Sequence, residues 1–150
     1  MLPYFLGCPS WSEAAWRGSI YAQGTRPTDF LKHYCQLFNA VEGNTTFYAR
    51  PAVETISKWS EAMPEHFRFC AKLPRDISHC DDLRGQLQAL DDFRALLAPL
   101  GARVAPYWLQ LPASFGPQRL AELALLIEHW GTGSGHFGGR ALAIEVRHPE

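Results

Sequence analysis

Apolar residues recur along this chain at two spacings. Alternation with period two marks five short strands, at residues 4–7, 40–42, 67–72, 107–111 and 142–146. Between them the spacing lengthens to that of helices. Thr28 or Asp29 can cap a helix whose Phe30, Leu31, Tyr34 and Leu37 share one face. Val53, Ile56 and Trp59 predict a second helix, ended near Met63 and Pro64. A third covers 83–97, with Leu87, Leu90, Phe93, Leu96 and Leu97 inward, and is closed by Pro99 and Gly101. A fourth covers 117–130 and opens on Pro117, a residue suited to first turns. Strands alternating with helices give the βαβ pattern of a parallel sheet, so an α/β fold is predicted.

The two phases of each strand separate a barrel from an open sheet. One phase is bulky and apolar: Val41; Phe67, Phe69 and Ala71; Tyr107, Leu109 and Leu111; Leu142, Ile144 and Val146. The other is small or polar: Ala40, Glu42 and Asn44; Arg68, Cys70 and Lys72; Trp108 and Gln110; Ala143, Glu145 and Arg147. Strands of a doubly wound open sheet carry helices on both faces and read as apolar in both phases. Here only one phase suits a helix layer, and the polar members come late in each strand. A TIM-type (β/α) barrel has that pattern, because its interior turns polar toward the mouth that holds the active site. Residues 1–150 are therefore expected to form a single domain with five βα units of barrel type.

Composition narrows the partners. With 47% hydrophobic and 19% charged residues the chain is ordinary for a globular protein. A net charge of −1 without a run of Lys and Arg argues against a membrane-surface binder and disfavours nucleic acid, while leaving room for a local basic pocket. The apolar start is broken by Pro3 and Gly7 and lacks a basic leader, so neither a signal peptide nor a spanning helix is expected, and the cytoplasm is the expected compartment. Cys8, Cys35, Cys70 and Cys80 form no CxxC pair, which points to reduced thiols rather than a zinc ribbon. Asn44-Thr45-Thr46 matches a glycosylation sequon that has no consequence in that compartment. The glycines of 131–139 precede a strand, so they read as a connection rather than a phosphate loop.

Several stretches together resemble a known family. Gly7-Cys8-Pro9-Ser10-Trp11 is followed by Trp16, Arg17, Gly18 and Tyr21, and then by Phe38-Asn39-Ala40-Val41-Glu42-Gly43-Asn44-Thr45-Thr46-Phe47-Tyr48. Phe67-Arg68-Phe69-Cys70-Ala71-Lys72-Leu73-Pro74 with His79, Leu109-Gln110-Leu111-Pro112-Ala113-Ser114-Phe115, and Glu145-Val146-Arg147-His148-Pro149 continue the pattern in order. The chain resembles the YecE-like family (domain of unknown function 72) from end to end. It departs at Cys8-Pro9, where small hydroxyl or glycine residues are more usual, and at Gly43, where an aliphatic is usual. The resemblance implies a barrel completed by further βα units, whereas this sequence reaches Glu150 just past the fifth strand. Two expectations follow: a piece of a longer protein, which is favoured, or open sheet edges that pair with another copy.

Glu42 and Glu145 end the second and fifth predicted strands. Two carboxylates at one barrel mouth can act as acid and base or hold a metal, and the alternative is pairing with Lys72 or Arg147. Lys72 ends the third predicted strand, where its amine would bind an anion or, if desolvated, attack a carbonyl. Arg147 supports the anion reading, with Arg50 close by. Gln110 would hydrogen-bond a ligand or cap its own loop. Asn44 and Tyr48 lie in a loop after a strand, as expected of substrate-binding residues. His79 and His148 join Glu42 and Glu145 as candidate metal ligands, without HxH or HExxH spacing. Trp11, Trp16, Phe47 and Tyr48 would either floor a pocket or pack their own loops. The leading expectation is an enzyme acting on a small phosphate- or carboxylate-bearing substrate, with Glu42 and Glu145 around a Lys72–Arg147 anion site. A metal-dependent phosphodiester or nucleic-acid hydrolase and a non-catalytic binding module are the alternatives, and no cofactor is assigned.

Overall fold

A computed structural model describes residues 4–132 and 140–150. The glycine-rich connection at 131–139 lies largely outside these residues. Four parallel strands, β1 (Ala40–Gly43), β2 (Arg68–Lys72), β3 (Val104–Gln110) and β4 (Leu142–Glu145), stand side by side in the order β1-β2-β3-β4. The helix before them is α1 (Phe30–Leu37), and those between them are α2 (Thr45–Tyr48), α3 (Val53–Ala62), α4 (Arg75–Ser78), α5 (Leu87–Leu97) and α6 (Leu120–Thr132). No helix among the described residues is long and apolar enough to cross a membrane.

Sequential order with parallel neighbours means that every crossover steps the same way, and right-handed crossovers then lay all the helices on one face. Burial follows that rule. Val41, Phe69, Ala71, Tyr107, Leu109 and Leu111 are buried in one core, joined by Ile56 and Trp59 of α3, Leu90 and Phe93 of α5, and Leu126 of α6. Val104 joins this phase through a register shift. Phe69 faces Val104 and Ala71 faces Tyr107, so β3 carries one extra residue there, beside Pro106, which has no N–H to offer a ladder.

The predicted helices form with small differences. The helices after Pro27, Leu83 and Pro117 begin with 3₁₀ turns. Asp29 precedes α1 without capping it and pairs with Arg26 instead, at 2.9 Å. Leu37 is exposed, and Cys35 takes its place on the buried face. The short helices α2 and α4 have no apolar period to announce them.

One expectation is corrected. Among the described residues the sheet has four strands rather than five; it is open, with β1 and β4 at its edges. Residues 4–8 do run beside β1, because the carbonyl of Leu6 accepts from Ala40 N–H (3.2 Å) and that of Cys8 from Glu42 N–H (3.1 Å). The returning bonds of a parallel ladder are diverted to side chains. Leu6 N–H donates to Asn39 Oδ1 (2.6 Å), and Cys8 N–H donates to the Tyr34 hydroxyl (2.6 Å), which in turn donates to the carbonyl of Ala40 (3.0 Å). A phenol thus sits where a backbone bond would close the ladder. Gly7 makes this approach possible, since a Cβ there would lie 1.9 Å from Ala40 O.

Tyr34→Phe keeps the ring stack with Phe38, whose centroid is 4.6 Å away, but leaves Cys8 N–H and Ala40 C=O without their partner. It is expected to cost about 1–3 kcal/mol and to lower the melting temperature by several degrees in a thermal denaturation. An unchanged melting temperature would show that the bridge carries no stability.

Candidate functional site

The polar phase gathers at the carboxyl ends of the strands. Glu42 lies on β1 with Asn44 just after it, Lys72 on β2, Gln110 on β3, and Glu145 on β4 with Arg147 just beyond. Asn44 Nδ2 donates to Glu42 Oε1 (2.6 Å) and reaches the carbonyl of Pro9 at 3.2 Å, so the carboxylate is steered by the loop that follows it. At the other side the register sets Gln110 opposite Glu145. Gln110 Nε2 donates to Glu145 Oε2 (2.8 Å), and Arg147 Nε donates to Glu145 Oε1 (2.5 Å). Both Glu145 oxygens are engaged. The Arg147 guanidinium and the Gln110 amide hold this carboxyl below the usual carboxylate range, so it is an anion at neutral pH.

Lys72 lies between these two groups. The residue is 8% exposed, and its ammonium sits 4.4 Å from the centroid of Trp108 and 4.6 Å from that of Phe47. Among the described residues no carboxylate stands within ion-pairing distance of it. Burial pushes its pKa below that of an ordinary lysine, as Arg147 does more weakly, while Glu42 and Glu145 oppose the shift. Thr46, which the sequence marks only as part of a sequon and of the family pattern, fixes this strand end. Its buried hydroxyl lies 2.5 Å from the carbonyl oxygen of Lys72 and 2.8 Å from that of Gly43, one proton serving both. Gly43 leaves room for the Phe69 ring, whose Cζ would lie 2.3 Å from a Cβ at that position. An aliphatic residue there would evict that ring from the core.

The aromatic candidates divide. Trp11 packs edge-on against Trp59 (5.3 Å), and Trp16 stacks on Tyr34 (6.4 Å), so both serve the core. Phe47 and Tyr48 instead line a cleft of about 470 Å³ with Arg50, Arg75, Asp76 and His79. Tyr48 is 81% exposed. His79 meets the edge of Phe47 at 5.3 Å and contacts Ser78 Oγ through Nδ1 at 2.9 Å. Burial first, then Arg75, Lys72 and Arg147, lower its pKa, which keeps the imidazole neutral at pH 7. Arg50 is held by Asp76 at 2.8 Å and is not delivered to Lys72.

The proposed metal quartet is not assembled. Among the described residues no three His, Cys, Asp or Glu side chains stand together as a group able to hold a metal, and His148 Nδ1 accepts from the backbone of Glu150 at 3.2 Å. The cysteines are free, with the Cys35 thiol pushed up to about 12 and that of Cys70 to about 11, both mainly by burial, so neither is a thiolate at neutral pH.

The family described as "Protein of unknown function DUF72" matches residues 5–150. The chain belongs to the DUF72 family. It is 39% identical over 147 residues to the UPF0759 protein YecE of Escherichia coli, an alignment that covers 97% of this chain and 49% of that protein. A DUF72 family protein from Thermotoga maritima superposes with a TM-score of 0.70 at 23% identity, over 95% of this chain and 55% of that one. One from Enterococcus faecalis does so with a TM-score of 0.69 at 26% identity, over 95% and 50%. This DUF72 chain therefore spans about half the length of the relatives it matches.

Because folding lowers the Lys72 pKa, the unfolded chain binds more protons between the folded value and the ordinary value of about 10.4. This group therefore penalises the fold at neutral pH, and stability is regained as pH rises through that window. Lys72→Met, which keeps an apolar stem between the two rings, is expected to melt no lower than the parent at pH 7 and to lose the alkaline gain. A fall of several degrees at pH 7 in a thermal scan would contradict this.

Proposed function

We propose that the carboxyl ends of these strands form a binding site for a small phosphate- or carboxylate-bearing molecule, with Lys72 as its principal cation. One observation carries the reading: a lysine residue largely withdrawn from solvent, its ammonium walled by Phe47 and Trp108, with no carboxylate paired to it among the described residues. Burying an unpaired charge is costly, and folds keep such groups where a ligand supplies the counter-charge. Arg147 adds positive field, though Glu145 already holds its guanidinium, so it is the secondary contact.

The site is the mouth of a TIM-type barrel in this reading. The four strands form an arc of that barrel, and polypeptide beyond this chain closes it. Three features support the closure: the one-sided helix layer, the polar phase on the opposite face, and the half-length match to the DUF72 relatives. Within an enzyme so built, Glu145 serves as a fixed anion that orients Gln110 and Arg147 rather than as a proton donor. Glu42, steered by Asn44, is then the carboxylate available for proton transfer. Three strand spacings separate β1 from β4, roughly 14 Å along the sheet, so the two carboxylates act on different parts of a ligand.

Inorganic phosphate, compared with chloride at equal ionic strength, is expected to raise the melting temperature of the chain, by about 2.7 kcal/mol of stabilisation at a hundredfold excess over Kd. Lys72→Met is expected to abolish the shift and Arg147→Gln to weaken it. An equal phosphate shift in Lys72→Met would overturn the assignment.

A further inference from the structure

The geometry points to Lys72 as a covalent site: we propose that its amine condenses with the carbonyl of an aldehyde- or keto-bearing anion to form a Schiff base. This deepens the anion-site reading and rests on it. The chain has three lysines, and only Lys72 is buried, Lys32 and Lys58 being exposed. Its amine stands at the end of a strand between the rings of Phe47 and Trp108, with no carboxylate within ion-pairing distance among the described residues. A desolvated amine outside an ion pair is the form that attacks carbonyls.

The chemistry balances with groups on the page. The free amine attacks the carbonyl carbon, breaking the C=O π bond and giving a carbinolamine. The former carbonyl oxygen takes up a proton and leaves as water, while nitrogen loses a hydrogen and forms the C=N bond. One proton added to that nitrogen gives an iminium, a cation of the same sign and place as the ammonium it replaces. The Phe47 and Trp108 ring faces that attract the ammonium therefore attract the product as well. Glu42 and Glu145, whose charges reach Lys72 from either side, favour the iminium in the same way. The anionic end of the ligand is what the Arg147 side of the slot would hold.

The test is reductive trapping on the full chain. The protein is incubated with cyanoborohydride and one of three probes: pyruvate, glycolaldehyde phosphate or acetaldehyde. It is then weighed by mass spectrometry and mapped by peptide. The expected result is one reduced adduct per chain at Lys72 with the two anionic probes, less with uncharged acetaldehyde, and none at Lys32 or Lys58. Lys72→Arg keeps the charge and is expected to lose the adduct. Should that variant fail to fold, inorganic phosphate added to the parent is expected to protect Lys72 from trapping. Labelling of Lys72 no greater than that of Lys32 and Lys58 overturns the proposal. In that case a surviving phosphate shift leaves the anion site standing, and a missing one removes both.

Discussion

Four parallel strands in sequential order can be covered by helices on one face only, and the rest of this molecule follows from that constraint. The covered face must be apolar, which places Val41, Phe69, Tyr107 and Leu109 against the helix layer. The opposite face is released from that demand and carries Cys70, Lys72, Trp108, Gln110 and Glu145. Because parallel strands all end on the same side, their last polar residues form a row: Glu42, Lys72, Gln110 and Glu145. A row of this kind is what the fold offers to chemistry.

Within the row, charge is distributed unevenly. Glu145 is saturated by Gln110 and Arg147, and Glu42 is tethered by Asn44. Lys72 alone of these has aromatic faces rather than an opposite charge as its near neighbours. The slot is also anchored, since Thr46 ties the loop after β1 to the carbonyl of Lys72 and α2 then presents Phe47.

Much of this was legible in the residues. Period-two alternation located β1, β2, β3 and β4, and the contrast between phases separated the helix-facing side from the polar side, as the burial of Phe69 and Ala71 against half-buried Cys70 shows. The end-to-end resemblance identified the family. The first predicted strand misled because periodicity reports which side chains are apolar, not where backbone bonds go, and only three dimensions reveal the Tyr34 hydroxyl taking the ladder position. Whatever closes a sheet into a barrel is equally beyond local pattern, because closure depends on strands distant in sequence. At the site, strand-end position singled out Glu42, Lys72, Gln110 and Glu145, but not their pairing: that Gln110 and Arg147 both serve Glu145 follows from the β3–β4 register. Thr46 entered the sequence reading only through the sequon and the family pattern, because a threonine looks the same whether its hydroxyl meets water or two carbonyls.

The central claim is that the Lys72 ammonium is enclosed by two rings and awaits an anion. Carbon-detected NMR of the lysine side chains tests it directly, because three lysines give three resolvable sets of methylene signals. The account predicts that the Lys72 signals lie upfield of those from Lys32 and Lys58 through the ring currents of Phe47 and Trp108, and that phosphate moves them while the other two stay put. Lys72 signals that coincide with those of the exposed lysines, or that ignore phosphate, would contradict it.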